Sequence, residues 1–271
     1  MRQFIATEPL NDKEQLLLFD KEKRYLKNVL RLKPGESIQV RLLDGQLLEM
    51  ELVKQKDTWL LQKANGAKRK ETGVQAKKTD NQNLEIHLLQ ALIKPSKMEQ
   101  LIRQTSECGV KRIVPIRADL SQLYLADSKK ERWETIIKEA RQQSGSPVST
   151  ELTNCMSFDE FFTKEGKNFA LFTENNENNK KKLAFKCYLS ENIETESLFS
   201  LLTKNGKPEI AYIVIGCEGG LSKREVDILE LNGFVPFHLS TNILRAETAA
   251  LYGLAILQNA VMEFNSWQKP E

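Results

Sequence analysis

The chain has 271 residues, 40% hydrophobic and 28% charged, which suits a folded protein with its own core and excludes disordered and fibrous classes. A net charge of +3 names no partner by itself, no apolar run approaches a membrane span, and the opening MRQFIATEPL lacks the apolar stretch of a secretion signal, so none is expected. Four scattered cysteines without CxxC spacing read as free thiols of a reducing cytosol, and two histidines offer little to a metal site.

The first part of the chain reads as a β-rich module. Tyr25, Leu26, Val29 and Leu30 share one face of a helix expected near residues 22–30. The turn Lys33-Pro34-Gly35-Glu36 precedes an alternating strand at residues 37–43 (SIQVRLL), Asp44-Gly45 closes a hairpin, and residues 46–53 (QLLEMELV) alternate back. A further strand is expected at residues 59–62. The charge is local: residues 21–33 hold six basic side chains against Glu22, and residues 54–78 hold eight against Asp57 and Glu71. Such stretches attract polyphosphate backbones, although a charge run is more often a solvated face.

Residues 65–83 (NGAKRKETGVQAKKTDNQN) are polar and carry few large apolar groups, which makes them the expected linker between a first domain at 1–74 and a second at 75–271. Beyond them strands and helices alternate. Strands are expected at 84–93, 113–116, 169–172, 211–215 and 234–239, and helices at 97–108, 128–144 and 246–264. Ser222-Lys223-Arg224-Glu225 is a capping box that opens another helix, ended by Asn232-Gly233. The tract 174–182 (ENNENNKKK) reads as a surface insertion. The fold class is therefore α/β with a mostly parallel sheet in the second domain.

Two segments carry candidate chemistry. Residues 216–221 (GCEGGL) form a glycine turn after a buried strand, at the edge where α/β sheets bind ligands. Their spacing is not the dinucleotide fingerprint, and a bare strand-to-helix turn accounts for them equally well. Residues 243–249 (ILRAETA) place Arg245 and Glu247 at a helix start; Arg245 suits anion or base recognition, and Glu247 suits the helix dipole. His238 and His87 sit in strand patterns and read as packed residues.

Together these segments resemble the SPOUT-class RNA methyltransferases, and more narrowly the family that methylates N3 of a uridine in small-subunit (16S) ribosomal RNA. Asn28-Val29-Leu30-Arg31, Lys97-Met98-Glu99 with residues 105–110 (TSECGV), and residues 139–144 (EARQQS) are similar to further segments of that family in the same order. The resemblance implies a PUA-like N-terminal β-barrel, a C-terminal α/β domain tied in a trefoil knot, a homodimer, and S-adenosylmethionine as cofactor without a metal. Carried over residue by residue, it implies a cofactor site of Thr173, Glu174, Ile215, Gly216, Glu218, Gly219, Gly220, Leu239, Ser240, Ile243, Leu244 and Arg245. Arg245, from its position beside that loop, is also the candidate catalytic residue, stabilising charge on the target base. Ribosomal RNA would meet Arg2, Lys23, Arg24, Arg31, Lys94, Lys97 and Arg141. The chain departs from the family at Cys217 (usually Pro), at Ser240 (usually Gly), at Ser146-Pro147 where an arginine often follows the glycine, and at Asp119-Leu120-Ser121. A methyltransferase acting on another RNA, or a non-catalytic RNA-binding relative, are the alternatives.

Overall fold

Alternating strands in the first third and more continuously apolar strands afterwards produce two separate sheets in the structure, a computed structural model that describes residues 3–56, 58–64, 84–122, 127–171, 183–191, 195–239 and 241–267. The chain divides into two units. One comprises Met1–Lys78 with Arg141–Pro147, and the other Thr79–Ala140 with Val148–Glu271. The expected linker at 65–83 lies outside the described residues.

In the first unit, β1 (Gln3–Ile5), β2 (Gln15–Leu17), α1 (Asp20–Arg24), β3 (Ser37–Arg41), β4 (Leu47–Gln55) and β5 (Thr58–Lys63) follow in chain order. The five strands pair as β1-β3-β4-β5-β2, with β1 and β3 parallel and the remaining pairs antiparallel. Gly45, at φ +84, gives the β3–β4 hairpin its left-handed corner, as Asp44-Gly45 predicted. The helix expected at 22–30 is more irregular than its pattern: α1 runs into a π-helical turn at Tyr25–Val29 that buries Leu26 completely. Phe4, Leu16, Leu26, Val40, Leu48, Met50, Leu52 and Leu61 form this unit's core. Strands β1 and β2 carry only three residues each, too few to show alternation, and the sequence reading missed them.

The second unit runs β6 (Glu85–Ala91), α2 (Pro95–Glu107), β7 (Arg112–Ile116), α3 (Lys130–Ser144, its last turn from Arg141 counted with the first unit), β8 (Glu151–Leu152), α4 (Phe158–Leu171), β9 (Ala184–Leu189), α5 (Leu198–Asn205), β10 (Ile210–Ile215), α6 (Lys223–Leu231), β11 (Val235–Phe237) and α7 (Ala246–Trp267). Its six strands lie in the order β11-β9-β10-β6-β7-β8, and every pair is parallel. Strand β10 is buried at every position because helices cover both faces, which explains its unbroken apolar run. Each of its large aliphatic side chains contributes about 1.5–3 kcal/mol of burial. Helix α7 packs against α2, α5 and β10 through Ala250, Leu254, Leu257 and Val261, the face predicted from their spacing.

One expectation is overturned. Residues 169–171 are not a strand but the end of α4. The helix starts at a capping box that the sequence reading overlooked: Ser157 Oγ accepts from Glu160 N (3.1 Å), and Glu160 Oε2 accepts from Ser157 N (2.8 Å). Phe158, Phe161 and Phe162 recur at helical spacing, the first two fully buried and the third edge-on to Phe234 at 5.9 Å. The strand that the sheet needs there is β9. It follows the polar tract, and Lys186 in its middle breaks the apolar run.

Candidate active site

In a parallel sheet the loops leaving the carboxyl ends of the strands define one edge, and there the fold leaves a cavity of about 700 Å³. Leu189, Ser190 and Glu191 reach it from the end of β9, residues 215–221 from the end of β10, and Lys94 and Lys97 from the segment after β6. Ile243, Leu244 and Arg245, with the first turn of α7, complete the wall.

The loop after β10 is shaped by its glycines. A turn is closed by Gly220 N donating to Cys217 O (2.9 Å), with Gly220 at φ +77. A Cβ on Gly216 would lie 2.9 Å from the backbone carbon of Gly220, so no larger residue fits without moving main chain. A Cβ on Gly219 would meet side chains alone, Leu120 Cβ at 3.3 Å and Cys217 Sγ at 3.9 Å. Beneath the loop, the fully buried Gln90 places its Nε2 2.9 Å from Ala91 O and 3.4 Å from Gly216 O. Cys217 is buried and its thiol points back at Gly220 O (3.4 Å), so this departure from the family pattern is accommodated inside the turn.

The exit from the loop is tied down by charge. Glu225, at 0% exposure, accepts from Ser222 N (2.8 Å) to complete the expected capping box and from Asp119 N (2.9 Å). Asp119 in turn accepts from Ser222 Oγ (2.6 Å) and from Arg224 Nη2 (2.8 Å), while Arg224 Nη1 reaches Asp159 (2.9 Å). The Arg224 guanidinium, and after it the Ser222 hydroxyl, hold the Asp119 carboxyl below its ordinary value. Asp119, noted in the sequence only as a departure from the family pattern, is the anchor of the α6 start.

The opposite wall is ionic. Glu247 is 7% exposed and accepts from Lys97 Nζ at 3.0 Å. Burial pushes its carboxyl up, but its own backbone N–H, the Lys97 ammonium and the Arg245 charge together hold it below the ordinary glutamate value. The Arg245 side chain is exposed and makes no hydrogen bond among the described residues. Tyr188 lines the cavity from β9; burial, then its 2.9 Å bond to Glu230, drives the phenol's pKa upward, so it stays neutral.

Of the predicted cofactor residues, Ile215, Gly216, Glu218, Gly219, Gly220, Ile243, Leu244 and Arg245 are brought together in this cavity. Leu239 packs against the core and does not line it. Thr173, Glu174 and Ser240 lie outside the described residues, and with α4 in place of the expected strand the argument for the first two falls; Leu189, Ser190 and Glu191 occupy the strand-end position instead. Lys94 and Lys97, assigned to RNA from sequence, both line the cavity. Lys23 and Arg24 lie on α1, Arg31 follows the π-helical turn at φ +56, and Arg2 lies outside the described residues. The histidines are packed as expected: His87 sits 4.7 Å from the Tyr212 ring, and His238 Nδ1 is 3.2 Å from Thr195 Oγ1. Glu247 and Tyr188 were missed as site residues. The first had a sufficient account as a helix-dipole residue, and the second sits in the unrecognised β9.

No group of three or more His, Cys, Asp or Glu side chains suited to a metal occurs among the described residues, and no helix there is long and apolar enough to cross a membrane. The chain is similar to the ribosomal RNA small subunit methyltransferase E 2 of Borreliella burgdorferi, 28% identical over 89% of each chain. It is similar also to the ribosomal RNA small subunit methyltransferase E of Synechocystis, 28% identical over 88% of this chain and 71% of the relative. Its fold is that of the Neisseria gonorrhoeae ribosomal RNA small subunit methyltransferase E solved with S-adenosyl methionine, with a TM-score of 0.72 and 24% identity over 96% of this chain and 97% of that one. A methyltransferase from Legionella pneumophila, solved with bound cofactor, superposes equally well, with a TM-score of 0.72 at 24% identity over 96% and 98%. Residues 80–258, which contain every element that walls the cavity, match the RNA methyltransferase domain, and the chain belongs to that family.

Proposed function

We propose that this protein transfers a methyl group from S-adenosylmethionine to N3 of a uridine in small-subunit (16S) ribosomal RNA. The observation that carries the reading is the glycine-walled cavity at the carboxyl ends of β9 and β10, closed by the Arg245–Glu247 helix start. It suits the cofactor on three counts. Its volume falls in the range of small-molecule sites. Its wall at residues 216–220 is main chain fixed by the close approach of Gly216 to Gly220, which gives a ligand a set backbone surface to lie against. Its free carboxylates, Glu191 and Glu218, complement a cation, while Lys94 complements a carboxylate. When bound, the cofactor supplies a methyl group on an already activated sulfonium, so the protein's task is largely one of orientation.

The backbone of residues 215–220, together with Ile243 and Leu244, would hold the cofactor. Arg245 stabilises negative charge on the uracil carbonyls as N3 gives up its proton. Glu191 and Glu218 are exposed at the cavity and stand as acceptors for that proton, whereas Glu247 is engaged with Lys97. The finer architecture belongs to the same reading: a PUA-like first unit, supported by its mixed five-stranded sheet, and a trefoil knot through the two loop segments of the cavity. A homodimer is supported by the exposed apolar groups Ile243, Tyr252 and Met262, and a cytosolic location by the free cysteines.

The deciding experiment is methyl transfer to small ribosomal subunits from cells lacking this gene, with the modified base mapped. Label at a uridine N3 of the small-subunit RNA is expected, and label at any other base or RNA overturns the substrate. Arg245→Ala is expected to lower turnover by about 100-fold with cofactor affinity nearly unchanged, as for the loss of one preorganised electrostatic donor. Normal turnover would remove Arg245 from the reaction.

A further inference from the structure

Among the described residues of the first unit, two guanidinium groups are buried or half-buried with no carboxylate to balance them. Arg41, at the end of β3, is 3% exposed; its Nε donates to Gln3 Oε1 (2.9 Å) and its Nη1 to Gly45 O (2.9 Å). The same Gln3 amide, itself 3% exposed, donates to the carbonyls of Arg141 (3.0 Å) and Ser146 (3.2 Å). Gln3 thereby ties the Arg41 head to the segment that carries Arg141. The half-buried Arg141 guanidinium makes no hydrogen bond or ion pair among the described residues, and its buried Nε is left without an acceptor. Burial, and for Arg141 also the neighbouring Arg41 charge, lowers the proton affinity of both groups, and no acidic side chain contributes at either.

Elsewhere in the protein the ion-paired arginines have carboxylates: Arg224 has two, Arg132 has Glu99 and Arg117 has Glu160. Two like charges taken partly out of water without a counter-ion are unfavourable unless an anion offsets them. Arginine's planar fork suits two oxygens of one phosphate. The fixed geometry argues against a merely solvated pair, because Arg41 is clamped by two acceptors while Arg141 keeps its donors unspent.

We propose that Arg141, carried on the segment that Gln3 ties to the buried Arg41, forms a phosphate-binding site in the first unit that holds one backbone phosphodiester of the RNA substrate. The identity of the ligand rests on the RNA-methyltransferase reading, whereas the anion site itself does not. Such a site adds affinity and register without reading sequence.

Two measurements on the full chain test it. In low-salt buffer free of phosphate, Arg141→Gln is expected to raise the melting temperature, because it removes like-charge repulsion and no hydrogen bond. Replacing chloride by inorganic phosphate at matched ionic strength is expected to stabilise the wild type more than this variant, beyond the general salting effect that both share. A lower melting temperature for Arg141→Gln, or equal phosphate stabilisation of the two proteins, overturns the anion site. In the second measurement, poly(U) RNA is titrated at several salt concentrations. Arg141→Gln is expected to bind about tenfold more weakly, with the salt slope reduced by about 0.7, as for one lost phosphate contact on a single strand. Unchanged RNA affinity and slope in a variant that has lost its phosphate response overturns the RNA assignment alone. Calorimetric titration with S-adenosylmethionine reports on the proposed cofactor reading separately, so that reading can fail while the anion site stands.

Discussion

The two walls of the cavity are made of different material. One, residues 215–221, is almost entirely backbone: Gly216 and Gly220 approach each other too closely for a Cβ, and the loop's shape is held by a turn and by the buried Gln90. The other, from Lys97 across to Arg245 and Glu247, is made of charged side chains that meet from helices far apart in the chain. A wall of main chain fails sterically and abruptly, because close-packed backbone cannot give by half an ångström. A wall of charges fails gradually, because water and neighbouring groups compensate in part.

Substitutions separate these modes. Gly216→Ala is expected to have the largest effect. Overpacking against backbone costs about 1–3 kcal/mol, so S-adenosylmethionine affinity measured by calorimetry should fall by up to about 100-fold. Unchanged affinity would mean that the loop is softer than its geometry implies. Glu247→Gln comes next, with a loss of about 1 kcal/mol of stability at neutral pH, at the low end for a charged hydrogen bond because Lys97 is 36% exposed and water screens it. The pH dependence has a definite sign. The folded carboxyl lies below the ordinary value of 4.5, so its stabilisation is present above that pH and is lost as pH falls through the lower folded value. Glu247→Gln should therefore flatten the acid limb of the stability profile, and parallel acid limbs for the two proteins would contradict the ion pair.

Gly219→Ala sharpens the comparison from the backbone side. Its added methyl meets side chains and no backbone, with Leu120 Cβ at 3.3 Å needing to give by only a few tenths of an ångström, so cofactor affinity should fall by less than about threefold. Equal losses at Gly216 and Gly219 would show that the whole loop, not the one close approach, sets the fit. Asp119→Asn should be mildest. Arg224 keeps Asp159, and the Asp119 backbone N–H still serves Glu225, so the melting temperature should drop by less than in Glu247→Gln.

Much of the second unit could be read directly from its residues. The unbroken apolar run of β10, the Ser222–Glu225 capping box and the spacing of Ala250, Leu254, Leu257 and Val261 each reflect local physics that needs no tertiary partner to be recognised. The failures came where two local signals competed. The aromatic end of α4 looked like a strand because the Ser157–Glu160 box that starts it lies a full helix upstream. Strand β9 went unseen because Lys186 interrupts it and a polar tract precedes it. That single exchange removed the basis for Thr173 and Glu174 and hid Tyr188, Ser190 and Glu191.

The amino-acid sequence by itself determined the alternation of strand and helix, the glycine loop and the helix start beside it, because turns, caps and periodicity are properties of a few consecutive residues. Only the tertiary structure decided that Lys97 belongs to the cavity, that Glu247 is its ion-pair partner, that Asp119 anchors α6, and that Gln3 joins Arg41 to the Arg141 segment. Each of these depends on residues between 38 and 150 positions apart. Such pairings carry no local signature, because the energy that selects them is that of burying charged and polar groups together, and this exists only once the sheets have formed.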